Sequence, residues 1–312
     1  MVPALVLVGL MLPAVSHAET ADALPDGSQV VYAGLGFNTY KRLQFGEFDG
    51  SEAQELDTAL RTRLDMYWAM GLADRLQISA ALPLVHSMVL DSDDLGPCPD
   101  LFEDEDYCKG FFRPGQLSVA GRYQIVRRKV SLAGDLSLRG DPWNGDLRGR
   151  YTAYGEGTVD LQPGATLDWD ADLGGDWALR LVGAGAYTFR FSRLNDDGSA
   201  GSFRAPADHI SGLAELQVMP PGPVSVTLGS AGMQRLWGLD WDAAYQEDYF
   251  PTQDRWTVLW YKQVAAYGKV SIDLPKDMGL HVGAGRVLRV RNGPPDMWDF
   301  TVGVHKYYGP KG

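Results

Sequence analysis

Charged residues recur at alternate positions within stretches that are otherwise apolar: Arg61, Arg63 and Asp65; Arg75; Arg122; Asp135 and Arg139; Asp160, Asp168 and Asp170; Arg180 and Arg190; Glu215; Arg235; Lys269 and Asp273; Arg289 and Arg291; Asp299 and His305. Residues two apart on a β-strand point to the same side, so each set shares one face while its neighbours form an apolar opposite face. Charged faces of this kind can line a path and select a charged or polar solute. They can equally pair off and fill a narrow interior with side chains. The candidate lining residues are Arg61, Arg63, Arg122, Asp135, Arg180, Glu215 and Arg289. Arginines from the second to fourth strands would neighbour the carboxylates of the fifth and sixth, giving an interior with a transverse field.

Other groups offer less. Cys98 and Cys108 fall in one polar segment; two cysteines in an exported chain are expected to pair, and with no nearby His they fall short of the four ligands of a structural metal site. Around them, Asp91 to Asp106 is strongly acidic, but Leu95 and Phe102 stand where an EF-hand needs oxygen ligands, so the expectation is a solvated loop. Gly34-Leu35-Gly36, Gly183-Ala184-Gly185 and Gly283-Ala284-Gly285 open no helix and lack the geometry of a phosphate cradle; glycines here suit bending or close aromatic packing. Some outer-membrane enzymes use Ser and His, yet His86 and Ser87 are adjacent on a strand and point to opposite faces. His209, His281 and His305 read as scattered interior filling. No catalytic residue, metal site or cofactor is assigned.

The elements that must position the charged faces are strands. From Trp177 to Phe191, the odd positions are apolar or glycine and end in aromatics, while the even positions are small or charged. Twelve such segments are expected near 29–45, 55–70, 75–89, 115–126, 130–140, 157–171, 177–191, 207–218, 224–237, 255–274, 279–291 and 297–308. Short turns rich in Gly, Pro and Asp alternate with mostly longer polar connections, and aromatics gather at strand ends. Lipid outside, a polar interior, short periplasmic turns and long outer loops produce this pattern, so the fold class is all-β, an antiparallel transmembrane β-barrel of about twelve strands. A soluble sandwich or lipocalin-like protein also alternates, but rarely needs twelve strands with such regular loop asymmetry.

The mature sequence contains no apolar run of about 20 residues, which argues against membrane helices. A mean hydropathy of −0.19 suits half-polar strands. A net charge of −12 argues against nucleic acid as a partner. Residues 1–18 end in Ser16-His17-Ala18 and are expected to be a signal peptide, with an uncleaved anchor as the rival reading. Residues 19–28 would be a periplasmic segment and 29–312 the barrel.

The hairpin from Tyr67 to Leu84, with its Gly71-Leu72-Ala73-Asp74-Arg75-Leu76 turn and Ser79-Ala80-Ala81-Leu82-Pro83-Leu84 continuation, resembles outer-membrane barrels. In particular it is similar to the family of transporters named after the MetA pathway of phenol degradation. The segments Gly115–Tyr123 and Trp177–Phe189 follow in the order that family has. The resemblance implies a barrel that moves small, often hydrophobic molecules. The expected function is an outer-membrane channel or transporter for small molecules, with outer-membrane lipid, lipopolysaccharide and a small solute as partners. A structural or adhesion barrel and a lipid-modifying enzyme are the alternatives.

Overall fold

The computed structural model describes residues 21–44, 53–90, 113–140, 158–192, 208–237, 260–291, 293 and 295–309. Its strands are β1 (Gln29–Gln44), β2 (Ala53–Ala73), β3 (Leu76–Leu90), β4 (Arg113–Pro114), β5 (Leu117–Val126), β6 (Val130–Gly140), β7 (Thr158–Gly174), β8 (Trp177–Ser192), β9 (His209–Met219), β10 (Val224–Arg235), β11 (Lys262–Leu274), β12 (Met278–Arg291) and β13 (Trp298–Tyr308). Both β4 and β5 pair with β3, so they are one crossing interrupted at Gly115-Gln116. Twelve crossings result.

Each strand is antiparallel to its chain neighbour, and β1 pairs with both β2 and β13. The ring is therefore closed, with no unpaired edge to satisfy in lipid. Strands of 10 to 21 residues rise about 3.3 Å per residue and exceed an apolar band about 25 Å tall. Among the described residues no helix is long and apolar enough to cross a membrane; the strands do so.

Parity holds along the strands. Leu136, Leu138, Leu167, Leu181, Phe189, Leu228, Val282, Phe300 and Val304 are exposed on the outside, whereas Ser131, Asp160, Asp168, Arg190, Thr227 and Asp299 are buried on the inside. Tyr123, Trp169, Trp177 and Tyr308 mark one rim of the outer surface, and Phe189, Phe191, Trp237 and Trp298 the other. This is the arrangement expected of two interfacial aromatic belts.

The short turns all lie at one rim. Between β7 and β8, Gly175 and Asp176 both have φ of 63°, the left-handed pair that a two-residue hairpin needs to match strand twist. The long connections leave the opposite rim. Cys98, Cys108 and the acidic stretch 91–106 lie outside the described residues, as do residues 1–18.

One feature adds to the sequence reading and one departs from it. Residues 21–28, the described part of the segment 19–28 expected to be periplasmic, reach into the mouth of the barrel. On β12, an irregularity opposite Val264/Ala265 adds Leu288 to the outside and reverses the parity beyond it. Val290 is consequently the buried residue at 1% exposure, and Arg289, expected to line the interior, faces out.

Candidate functional site

The site is the barrel interior, and its short-turn half is filled by a cross-braced polar network. Ala21 donates its backbone N–H to both carboxylate oxygens of Asp168 on β7, each at 3.0 Å. Leu24 N–H donates to Gln77 Oε1 at 3.0 Å and Ala23 N–H to Gln124 Oε1 at 3.4 Å. Gln124 returns a bond to Asp22 Oδ1 at 2.7 Å, which Ser131 Oγ also reaches at 3.3 Å. At the rim, Gly27 N–H donates to Gly71 O and Gly71 N–H to Ser28 O. β7 stands almost opposite β1 in the ring. Residues 21–28 thus form a strap across the mouth, with Ala21 fully buried.

The wall is shaped to receive this strap. Gly71 is in contact with it: a Cβ there would collide with the carbonyl oxygens of Leu24 and Pro25. Glycines elsewhere accept inward aromatics in the same manner. Tyr32 lies in the hollow over Gly34 and Gly303, Tyr267 over Gly229, and His305 over Gly279. Tyr32 also stacks on His281 with centroids 5.0 Å apart, and His281 lies 6.3 Å from His305. Two of the three inward histidines therefore come together, while His209 is separate.

Charges on the wall pair locally. Arg63 Nε lies 2.6 Å from Asp65 on its own strand. Arg122 Nε lies 2.6 Å from Asp135 on the adjacent strand, and Thr166 donates to the same carboxylate at 2.9 Å. Arg180 forks onto Asp170 at 2.6 and 2.9 Å. Glu215 takes Tyr267 Oη at 2.6 Å and has Lys269 Nζ at 3.8 Å. The expectation that arginines of the second to fourth strands neighbour carboxylates of the fifth and sixth holds for Arg122 and Asp135. Arg63 instead pairs along its own strand and Arg180 with the adjacent one, because side chains on one strand or facing ones in adjacent strands are closer than opposite walls.

The long-loop half differs. Arg139, Asp160, Arg190, His209, Arg235, Tyr261 and Gln263 share one arc of wall from β6 to β11. Arg190 Nε stands 3.5 Å from Asp160 Oδ1 with both side chains nearly inaccessible. Arg235 lies over the Tyr261 ring at 5.8 Å, and the Tyr261 hydroxyl donates to Gln263 Oε1. Across the lumen, Arg61 faces Asn38 on β1, which faces Asp299 on β13.

Of the sequence candidates, Arg61, Arg63, Arg122, Asp135, Arg180 and Glu215 lie on the inward register, distributed around the ring rather than gathered at one point. Arg289 lies outside. The arc containing Arg190, His209 and Arg235 was legible as inward parity, but its convergence was not.

A closed twelve-strand ring with an apolar belt and polar interior decides the fold. The chain is an outer-membrane β-barrel. An outer membrane channel from Pseudomonas putida F1 is similar in structure, with a TM-score of 0.61, 17% identity and coverage of 92% of this chain and 98% of that one. The NanC porin gives 0.48 at 9% identity over 88% and 98%, and the KdgM porin 0.41 at 10% identity over 88% and 99%. No family model matches the chain, and no curated protein matches it.

Proposed function

We propose that the protein is an outer-membrane channel for small molecules, held shut at its periplasmic end by residues 21–28. The strap is the observation that carries this reading. It is a segment without strand or helix of its own, seated in a polar mouth by side chains from β3, β5, β6 and β7. Removal of residues 1–18 as a signal peptide would leave it tethered only at β1. At about 1 kcal/mol net per hydrogen bond, the strap is held by several kcal/mol, enough to close the path and small enough to be reversed.

Outer-membrane lipid and lipopolysaccharide surround the barrel in this reading, and the solute is small and often hydrophobic or aromatic, as the resemblance to the phenol-degradation transporters implies. The pairing of Arg122 with Asp135 and Thr166 favours a second reading, a barrel packed with side chains that conducts nothing.

Single-channel recording on refolded protein in a planar bilayer separates them. Gly71→Ala is the decisive variant because its Cβ clashes with the strap and alters no charge. The expected result is rare or small openings in the wild type and frequent, larger openings in Gly71→Ala and in a deletion of 21–27. Silence in all three, with the barrels correctly folded, overturns the channel reading.

A further inference from the structure

We infer that the outward face of β11 and β12 at the long-loop rim is a binding site for the phosphate groups of lipopolysaccharide in the outer leaflet. This deepens the reading that lipopolysaccharide surrounds the barrel, and it does not depend on whether the lumen conducts.

Position is the first argument. Along β12 the outward residues Met278, Leu280, Val282 and Ala284 are apolar or small. Arg286, Arg289 and Arg291 then follow on the same side, while Val287 and Val290 face in. On β11, Lys262 lies between the inward Tyr261 and Gln263 and so faces out, directly opposite Arg291. Arg286 stands opposite Trp298 of the outer aromatic belt, its guanidinium 5.3 Å from the ring centroid. The 11 residues of β13 run from Trp298 to Tyr308 at the other belt. At a rise of about 3.3 Å per residue and a tilt of about 40°, that strand covers about 25 Å of height, the whole apolar band. The four cations therefore begin where hydrocarbon ends, at the level of lipid headgroups. A charge on the lipid face costs most at the midplane and little at the interface, so this is where cations on the outer wall are tolerated.

Charge is the second. Ion pairs hold Arg63, Arg122, Arg180, Arg190 and Lys269 on the inner face, and among the described residues Lys262, Arg286 and Arg289 take part in none. Arg291 lies over the Trp260 ring at 4.1 Å and faces Lys262 across the ladder. Like charges directly opposite in a sheet repel, and an anion laid across them removes the cost. On β5 to β10, by contrast, every Arg of the strands faces the lumen, so the outward cations mark one sector of the wall.

The order of groups is the third. Planar guanidinium forks match phosphate oxygens in pairs. Below them on the same wall, Trp298 stacks on Phe300 with centroids 6.1 Å apart, and Val282 and Val302 are exposed. Phosphate above and acyl chain below is the order in which a phosphorylated lipid presents itself, whereas a soluble anion would use the upper part alone.

The test titrates refolded full barrel in nonionic detergent with lipopolysaccharide, with its chemically dephosphorylated form, and with inorganic phosphate. Thermal unfolding and the fatty acid retained per barrel after washing report binding. The expected result is saturable retention of lipopolysaccharide, lost on dephosphorylation and not reproduced by inorganic phosphate. Affinity should fall about tenfold or more when Arg286→Gln and Arg289→Gln are combined. It should be unchanged in Lys306→Gln, a cation beside Tyr308 at the opposite rim. Should the double variant fail to fold, Lys262→Gln and Arg289→Gln are read singly, each with a smaller loss.

Equal retention of the dephosphorylated lipid, equal stabilisation by inorganic phosphate, or an equal loss in Lys306→Gln overturns the proposal. So does a change of oligomeric state in the double variant without change in lipid retained, which would make this face a contact between copies of the chain. The channel reading is judged separately: barrels that bind the lipid and never conduct keep the site and remove the channel, and conducting barrels that fail these tests keep the channel and remove the site.

Discussion

The two halves of the lumen are built on opposite principles. Near the short turns, Asp168, Gln124 and Gln77 accept bonds from the strap, and Arg122 and Arg180 are matched to carboxylates on adjacent strands. Near the long loops, Arg190 stands beside Asp160, and Thr188, His209, Gln263, Asn38 and Asp299 hold buried polar atoms without partners among the described residues. Satisfied networks give rigidity, whereas under-satisfied ones are destabilising unless something binds. In the proposed channel, the difference gives the first half the role of closure.

The sharpest way to break this contrast is to dislodge the strap. Gly71→Ala and deletion of 21–27 each remove several hydrogen bonds of about 1 kcal/mol, so the open-to-closed ratio in single-channel records should rise by about ten- to a hundredfold. A rise in one variant and not the other would show that the strap is not what closes the path.

A smaller effect is expected at the closed half. Arg122→Ala leaves Asp135 without its ion-pair partner, and with the pair partly exposed the barrel should lose about 1–3 kcal/mol of stability, seen as a lower urea midpoint of tryptophan fluorescence. The smallest effect is expected from Arg289→Gln, since this side chain faces outward: ion selectivity measured by reversal potential should be unchanged. A clear shift in selectivity would return Arg289 to the lumen and contradict the parity reversal at Leu288.

Most of the barrel was legible because a strand's period is two and lipid demands a continuous apolar face. Leu136, Leu138, Phe189 and Phe300 announce the outside by parity alone, and the Gly174-Gly175-Asp176 turn announces its hairpin. The same alternation assigned Arg63, Arg122, Asp135, Arg180 and Glu215 to the inward register. Arg289 escaped because one inserted residue reverses every later side chain, and nothing in the residue types around Leu288 marks an insertion. The strap escaped because residues 21–28 carry no period at all; the side chains that hold Ala21 to Leu24 are 53 to 147 positions away.

The sequence by itself determined that there would be strands, how many, and which face of each would meet lipid, since those follow from local alternation and turn chemistry. Tertiary structure decided the rest. Sheet register along β6 to β10 brings Arg139, Arg190 and Arg235 to one arc, and closure of the ring sets Tyr32 in the hollow of Gly303 and offers residues 21–28 a polar mouth. Those relations depend on distance across the barrel, which the order of residues along the chain does not encode.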